Sequence, residues 1–176
     1  MSRILAVLTV LIGLAALAAP ARAESKVGFL HPQRILNESK IGKAAQEDLA
    51  RFAQEKDRGI RARTQEIQAE QKKLEAAGAT DPEAPRKAEA LRLKYQQQDR
   101  LIQESNEEIR LEEQRLARYV MQKADAIMKQ IAAQQGFTLI LTDPEAIGYI
   151  DPSVDLTEQV IKALDQASTA PPPKKK

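Results

Sequence analysis

The chain has 176 residues, with 27 Lys and Arg against 25 Asp and Glu, one His, no Cys and no Trp. The lack of Cys excludes thiolate nucleophiles, and a single His leaves no His/Cys set for zinc. No P-loop or other Gly-rich phosphate fingerprint occurs, which argues against nucleotide-driven work.

The first 23 residues read as a secretory signal peptide. Met1-Ser2-Arg3 is a short basic start, Ile4 to Ala19 is almost wholly apolar, and Ala21-Arg22-Ala23 is an A-x-A pattern that predicts cleavage after Ala23. The apolar run of 4–19 is shorter than the ~20 residues a spanning helix needs, and Pro20 closes it. Export to the periplasm follows as an expectation, without Cys for a lipid anchor or a disulfide. Removing Arg3 and Arg22 leaves 25 basic against 25 acidic residues, so the mature chain has net charge 0. Residues 39–123 carry 18 basic and 16 acidic side chains, a mild +2. That is not the one-signed field of a dedicated nucleic-acid binder.

In chain order, Lys26 to Leu30 predicts a short strand with Val27 and Phe29 on one face, broken by His31-Pro32. A helical turn over Gln33 to Glu38 precedes Ser39, which can cap a long helix. A break at Ala77 to Pro85, with its tip at 78–85, separates this helix from a second long one running to Gly136, a suitable C-terminal glycine. Phe137 to Thr142 predicts a strand with its odd positions on one face, and Ala146 to Ile150 a third, short strand. Asp155 with Glu158 predicts a capping-box start for a final amphipathic helix through Val160, Ile161 and Leu164. The Pro- and Lys-rich segment 168–176 has the composition of a disordered tail.

The organisation is therefore α+β: a small strand-containing body from 24–38 and 124–167, interrupted by a helical hairpin arm at 39–123. About forty residues per helix reach ~60 Å, too far for so small a body to cover. A core this thin calls for oligomerisation. Within the arm, Phe52, Ile60, Ile67 and Leu74 form one apolar column, and Tyr95, Ile102, Ile109 and Leu116 another. Folding the chain back near residue 81 pairs positions whose numbers sum to about 162, which sets these two columns against each other as an antiparallel hairpin seam. The companion column at 91, 98, 105, 112 and 119 reads Leu, Gln, Ser, Glu, Tyr. It predicts a distal arm that bends readily, unless the polar residues serve to fix register.

Lys56, Arg58, Arg61 and Arg63 form the densest basic stretch, the place to test for contact with anionic lipid or membrane surface, although interspersed Glu also fits a solvated face. Asp143, Glu145 and Asp151 neighbour prolines and read as turn-forming carboxylates rather than a metal site. His31 reads as structural, and Gly59 as either a hinge or a tolerated helical glycine. No catalytic, metal-binding or cofactor-binding residue is identified, and no cofactor is expected.

Lys26-Val27-Gly28-Phe29 with Arg34-Ile35-Leu36, Gly42-Lys43-Ala44-Ala45-Gln46, Phe137 to Leu141, and Gly148-Tyr149-Ile150-Asp151-Pro152 followed by Asp155 to Ile161 resemble the Skp/OmpH family of periplasmic chaperones. The likeness covers essentially the whole mature chain. It implies a homotrimer in which strands from three chains build a small β-barrel body, with three coiled-coil-like hairpins projecting as tentacles around a cavity. It further implies ATP-independent holding of unfolded outer-membrane β-barrel proteins. Val27, Phe29, Leu139, Leu141, Ile147 and Tyr149 are the expected trimer interface. The neutral mature charge departs from the cationic character described for the family. Rival readings are a periplasmic spacer or envelope tether, and a binder of anionic polymers or lipids, which the Lys174–Lys176 tail would favour.

Overall fold

The computed structural model describes residues 25–78 and 81–167. The predicted signal peptide, the tail at 168–176, and Ala79 and Thr80 of the tip lie outside the described residues. The order of elements is β1 (Lys26–Phe29), α1 (Pro32–Glu38), α2 (Lys40–Ala77), α3 (Ala84–Gln135), β2 (Phe137–Leu141), a 3-10 turn (Pro152–Val154) and α4 (Thr157–Ala167).

Helices α2 and α3 contain 38 and 52 residues, so they extend about 57 and 78 Å. Local chemistry sets their ends. Ser39 is fully buried between α1 and α2; its hydroxyl donates to the Ile35 carbonyl at 2.6 Å and accepts from the Gly42 amide at 3.1 Å. One side chain thereby closes one helix and opens the next. At the tip, Gly78 leaves α2 at φ +67°, and the Asp81 carboxylate accepts from the Glu83 amide at 2.9 Å while pairing with Lys87 at 2.7 Å. Pro85 sits in the first turn of α3, where no amide donor is needed. Gly136 ends α3 in the left-handed conformation, its amide bonded to the Ala132 carbonyl, as its position predicts. Helix α3 passes through residue 123 without a break, so arm and body share one continuous helix.

Strands β1 and β2 pair in parallel, with Lys26 opposite Phe137, Val27 opposite Leu139 and Phe29 opposite Leu141. The register shift between Lys26 and Val27 leaves Thr138 without a counterpart, and this bulge reverses the side-chain alternation. Phe137 and Ile140 consequently pack on the body, while Leu139 and Leu141 point out. The expectation that the odd positions 137, 139 and 141 share one face is thus corrected.

The third predicted strand does not form. Ala146 to Ile150 is irregular: the Asp143 carboxylate holds the Glu145 amide at 3.0 Å, and the Ile147 amide turns back to the Pro144 carbonyl at 3.4 Å. The far edge of β1 is already occupied, because Phe29 bridges to Asp155 and its carbonyl accepts from the Leu156 amide at 2.8 Å. A strand needs a ladder partner, and the turn chemistry of Asp143-Pro144 captures this segment first.

The core lies at the root of the arm. Leu156, Val160 and Leu164 of the C-terminal segment pack with Ile35 of α1, Ile41 of α2 and Val120 of α3, all buried. Asp155 caps α4 by accepting from the Thr157 amide at 2.9 Å. The reciprocal half of the predicted capping box is replaced, since Glu158 pairs instead with Arg34 at 3.5 Å and Lys162 at 3.3 Å.

Candidate functional site

Two surfaces stand out, the arm and the outward face of the sheet. The arm's register is written in its cross-helix bonds. Gln98 meets Thr64, Gln97 meets Arg63, Lys94 meets Glu66 and Glu70, Tyr95 meets Gln71 and Lys56 meets Glu108. Each pair sums to within four of 162. Of the apolar columns, Ile67 and Leu116 are buried, Phe52, Ile60, Leu74, Ile102 and Ile109 are half-buried, and Tyr95 is exposed.

The polar companion column lies deeper than most of these. Gln98, Ser105 and Glu112 are only 7%, 3% and 8% exposed. The physical reason is that polar side chains can cross a seam when they find partners. Gln98 donates to Thr64 Oγ1 at 2.9 Å and to the Ile60 carbonyl at 3.3 Å. Glu112 accepts from Arg115 at 2.6 and 2.9 Å in a bidentate contact. Of this column, Gln98 bonds across to α2, while the Glu112 contact with Arg115 runs along α3. Farther out, hydrogen bonds from Lys94 and Arg63 hold the Glu66 carboxyl below the usual carboxylate range. Bonds to Glu70 and Glu66 hold Lys94 above the usual lysine value.

The basic stretch is largely neutralised. Arg61 pairs with Asp57 at 2.6 Å, Arg63 with Glu66 at 2.9 Å, and Lys56 with Glu108 while lying 5.3 Å from the Phe52 ring centre. Arg58 makes no ion pair among the described residues.

On the body, Val27, Leu139, Leu141 and Tyr149 are exposed, Tyr149 by 81%. Ile147 is half-buried. Phe29 differs: it is 5% exposed and meets the His31 ring edge-on, with centroids 6.2 Å apart, so it is enclosed within its own chain. His31 holds α1 in place by donating its amide to Thr157 Oγ1 at 2.9 Å. The Asp143 and Asp151 carboxylates each accept from a backbone amide two residues on, the geometry of turn formers.

Sequence reasoning passed over Leu93, Leu101 and Leu111, which are exposed on α3. The available signal was subtraction, since these are the leucines of α3 that belong neither to its apolar column nor to the companion column.

A small α+β body from which one long helical hairpin extends is the class that this fold defines. The chain belongs to the family described as outer membrane protein (OmpH-like), whose model matches residues 26–164. A crystal structure of a candidate outer membrane chaperone (OmpH-like) from Caulobacter crescentus CB15 matches with a TM-score of 0.73 and 24% identity, over 84% of this chain and 87% of that one. At that identity the likeness establishes the fold. A comparison with curated proteins finds no match.

Proposed function

We propose that the mature chain is an ATP-independent periplasmic chaperone that holds unfolded outer-membrane β-barrel proteins between helical arms and prevents their aggregation. The carrying observation is the arm itself, two long helices covered beyond their root only by each other, with large apolar side chains left on the outside of one of them. Family membership points the same way, and the C. crescentus protein of the same fold is a candidate outer membrane chaperone. A homotrimer built through Val27, Leu139, Leu141, Ile147 and Tyr149 would enclose a cavity between three arms. Many weak contacts along such arms would shield an unfolded chain and release it without nucleotide chemistry.

The test is dilution of a urea-denatured outer-membrane β-barrel protein into buffer with the mature chain and no ATP. The expected outcome is suppressed light scattering at one trimer per client. Unchanged scattering at that ratio would defeat the reading. The cross-helix bonds of the seam favour a second reading, a stiff periplasmic spacer. A spacer would leave scattering unchanged and would show distal-arm amides as protected from hydrogen exchange as those of the body.

A further inference from the structure

The two arm helices use their apolar residues differently. Among the described residues of α2, no large apolar side chain is exposed, whereas α3 exposes Leu93, Leu101 and Leu111. Leu93 and Leu111 are 18 residues apart, five helical turns, so they lie on one line along the helix. That line faces away from the seam positions 98, 105 and 112. Arg86, Arg100 and Arg118 fall within about 20° of it, each seven residues from one of these leucines.

Ion pairing separates these three from the other arginines of α3. Arg92, Arg110 and Arg115 are each paired with a glutamate three residues earlier. Arg86, Arg100 and Arg118 are exposed and make no ion pair among the described residues; Arg118 donates only to the Gln114 carbonyl, at 3.3 Å. Glu104 shares the face and does not pair with Arg100. Unpaired guanidinium groups therefore alternate with bare leucines over about 48 Å.

We propose that the outer face of α3, marked by Arg86, Leu93, Arg100, Leu111 and Arg118, is a track for an extended polypeptide segment that carries both apolar and acidic side chains. The choice of an unfolded chain as occupant rests on the holdase reading. A heptad step along the helix is about 10.5 Å, close to the reach of three extended residues. An unfolded segment lying along α3 thus meets a leucine or an arginine at three heptad steps and one longer step of about 16.5 Å, between Arg100 and Leu111, where Glu104 lies. Two in-line leucines about 27 Å apart are too sparse for the continuous apolar face of a membrane-surface helix. Guanidinium groups suit carboxylates through paired N–H donors.

Binding of two labelled peptides to the mature chain tests this, one of alternating Leu and Asp and one of alternating Leu and Asn. Replacing Arg86, Arg100 and Arg118 together by Gln is expected to weaken binding of the Leu/Asp peptide roughly tenfold, as the sum of three exposed ion pairs, and to leave the Leu/Asn peptide unchanged. Leu93→Ser with Leu111→Ser weakens both. The control Arg58→Gln with Lys72→Gln and Lys73→Gln removes the same charge from α2 and changes neither. Equal losses in the control and the α3 arginine variant would overturn the track. So would a parent chain that binds anionic vesicles but neither peptide. If the parent binds neither peptide yet prevents aggregation, the track fails and the chaperone reading stands. If it binds the Leu/Asp peptide through these arginines but does not prevent aggregation, the track stands and the chaperone reading fails.

Discussion

Two glycines of α2 show how differently one residue type can be constrained. A Cβ on Gly42 would lie 2.2 Å from the Leu36 carbonyl oxygen and 2.9 Å from that of Ile35, both backbone atoms that cannot move aside. A Cβ on Gly59 meets nothing within 4 Å. Gly42→Ala is expected to destabilise by about 1–3 kcal/mol through overpacking. Gly59→Ala is expected to stabilise by about 0.5–1 kcal/mol, because the residue sits in an exposed helix interior. Thermal unfolding followed by circular dichroism measures both, and a loss of stability at Gly59→Ala would instead point to a hinge there. The helix ends were readable residue by residue: Ser39, Gly136 and Asp155 cap because each supplies a local hydrogen bond or backbone conformation that depends on its neighbours in sequence. The tight contact at Gly42 was not readable, since it depends on how α1 folds back.

At the scale of the element, the hairpin's register followed from apolar columns at spacing seven, because a helix repeats its faces regardless of what surrounds it. The behaviour of Gln98, Ser105 and Glu112 did not follow from that periodicity. The burial of Gln98 and Glu112 goes with partners contributed by α2 and by the next turn, and hydropathy does not encode a bond from Gln98 to the Ile60 carbonyl. The outer seam has a definite pH dependence. Glu66, held below the usual carboxylate value, contributes stability that is present above about pH 4.3 and is lost as pH falls through its lower folded-state value. Lys94, held above the usual lysine value, contributes stability that is present below about pH 10.4 and is lost as pH rises through its higher folded-state value. Hydrogen exchange of distal-arm amides, corrected for intrinsic pH effects, is expected to show even protection between these limits and loss outside them. Glu66→Gln should reduce the acid limb without abolishing it, since Lys87 also holds the Asp81 carboxyl at the tip below the usual carboxylate range.

On the whole-molecule scale, the question is what covers the outward face of the sheet. Leu139 and Leu141 point away from the body, and nothing among the described residues encloses Tyr149. If three copies close this face, Leu139→Asp is expected to shift sedimentation of the mature chain from trimer to monomer while the helices persist. Phe29→Ala should act differently, destabilising the fold itself, because its ring is enclosed within its own chain. A parent chain that sediments as a monomer would remove the cavity from the proposed function.

The sequence by itself determined the helices, their caps, the fold-back near residue 81 and the α+β order of the chain. Each depends on periodicity or on neighbours a few residues apart. Only the tertiary structure decided which residues the bulge at Thr138 turns outward, that Ala146 to Ile150 finds no strand to join, and that a polar column occupies the seam. It also separated the paired arginines of α3 from the unpaired ones. These outcomes turn on contacts between segments far apart in the chain, where competing partners select one arrangement that no local pattern records.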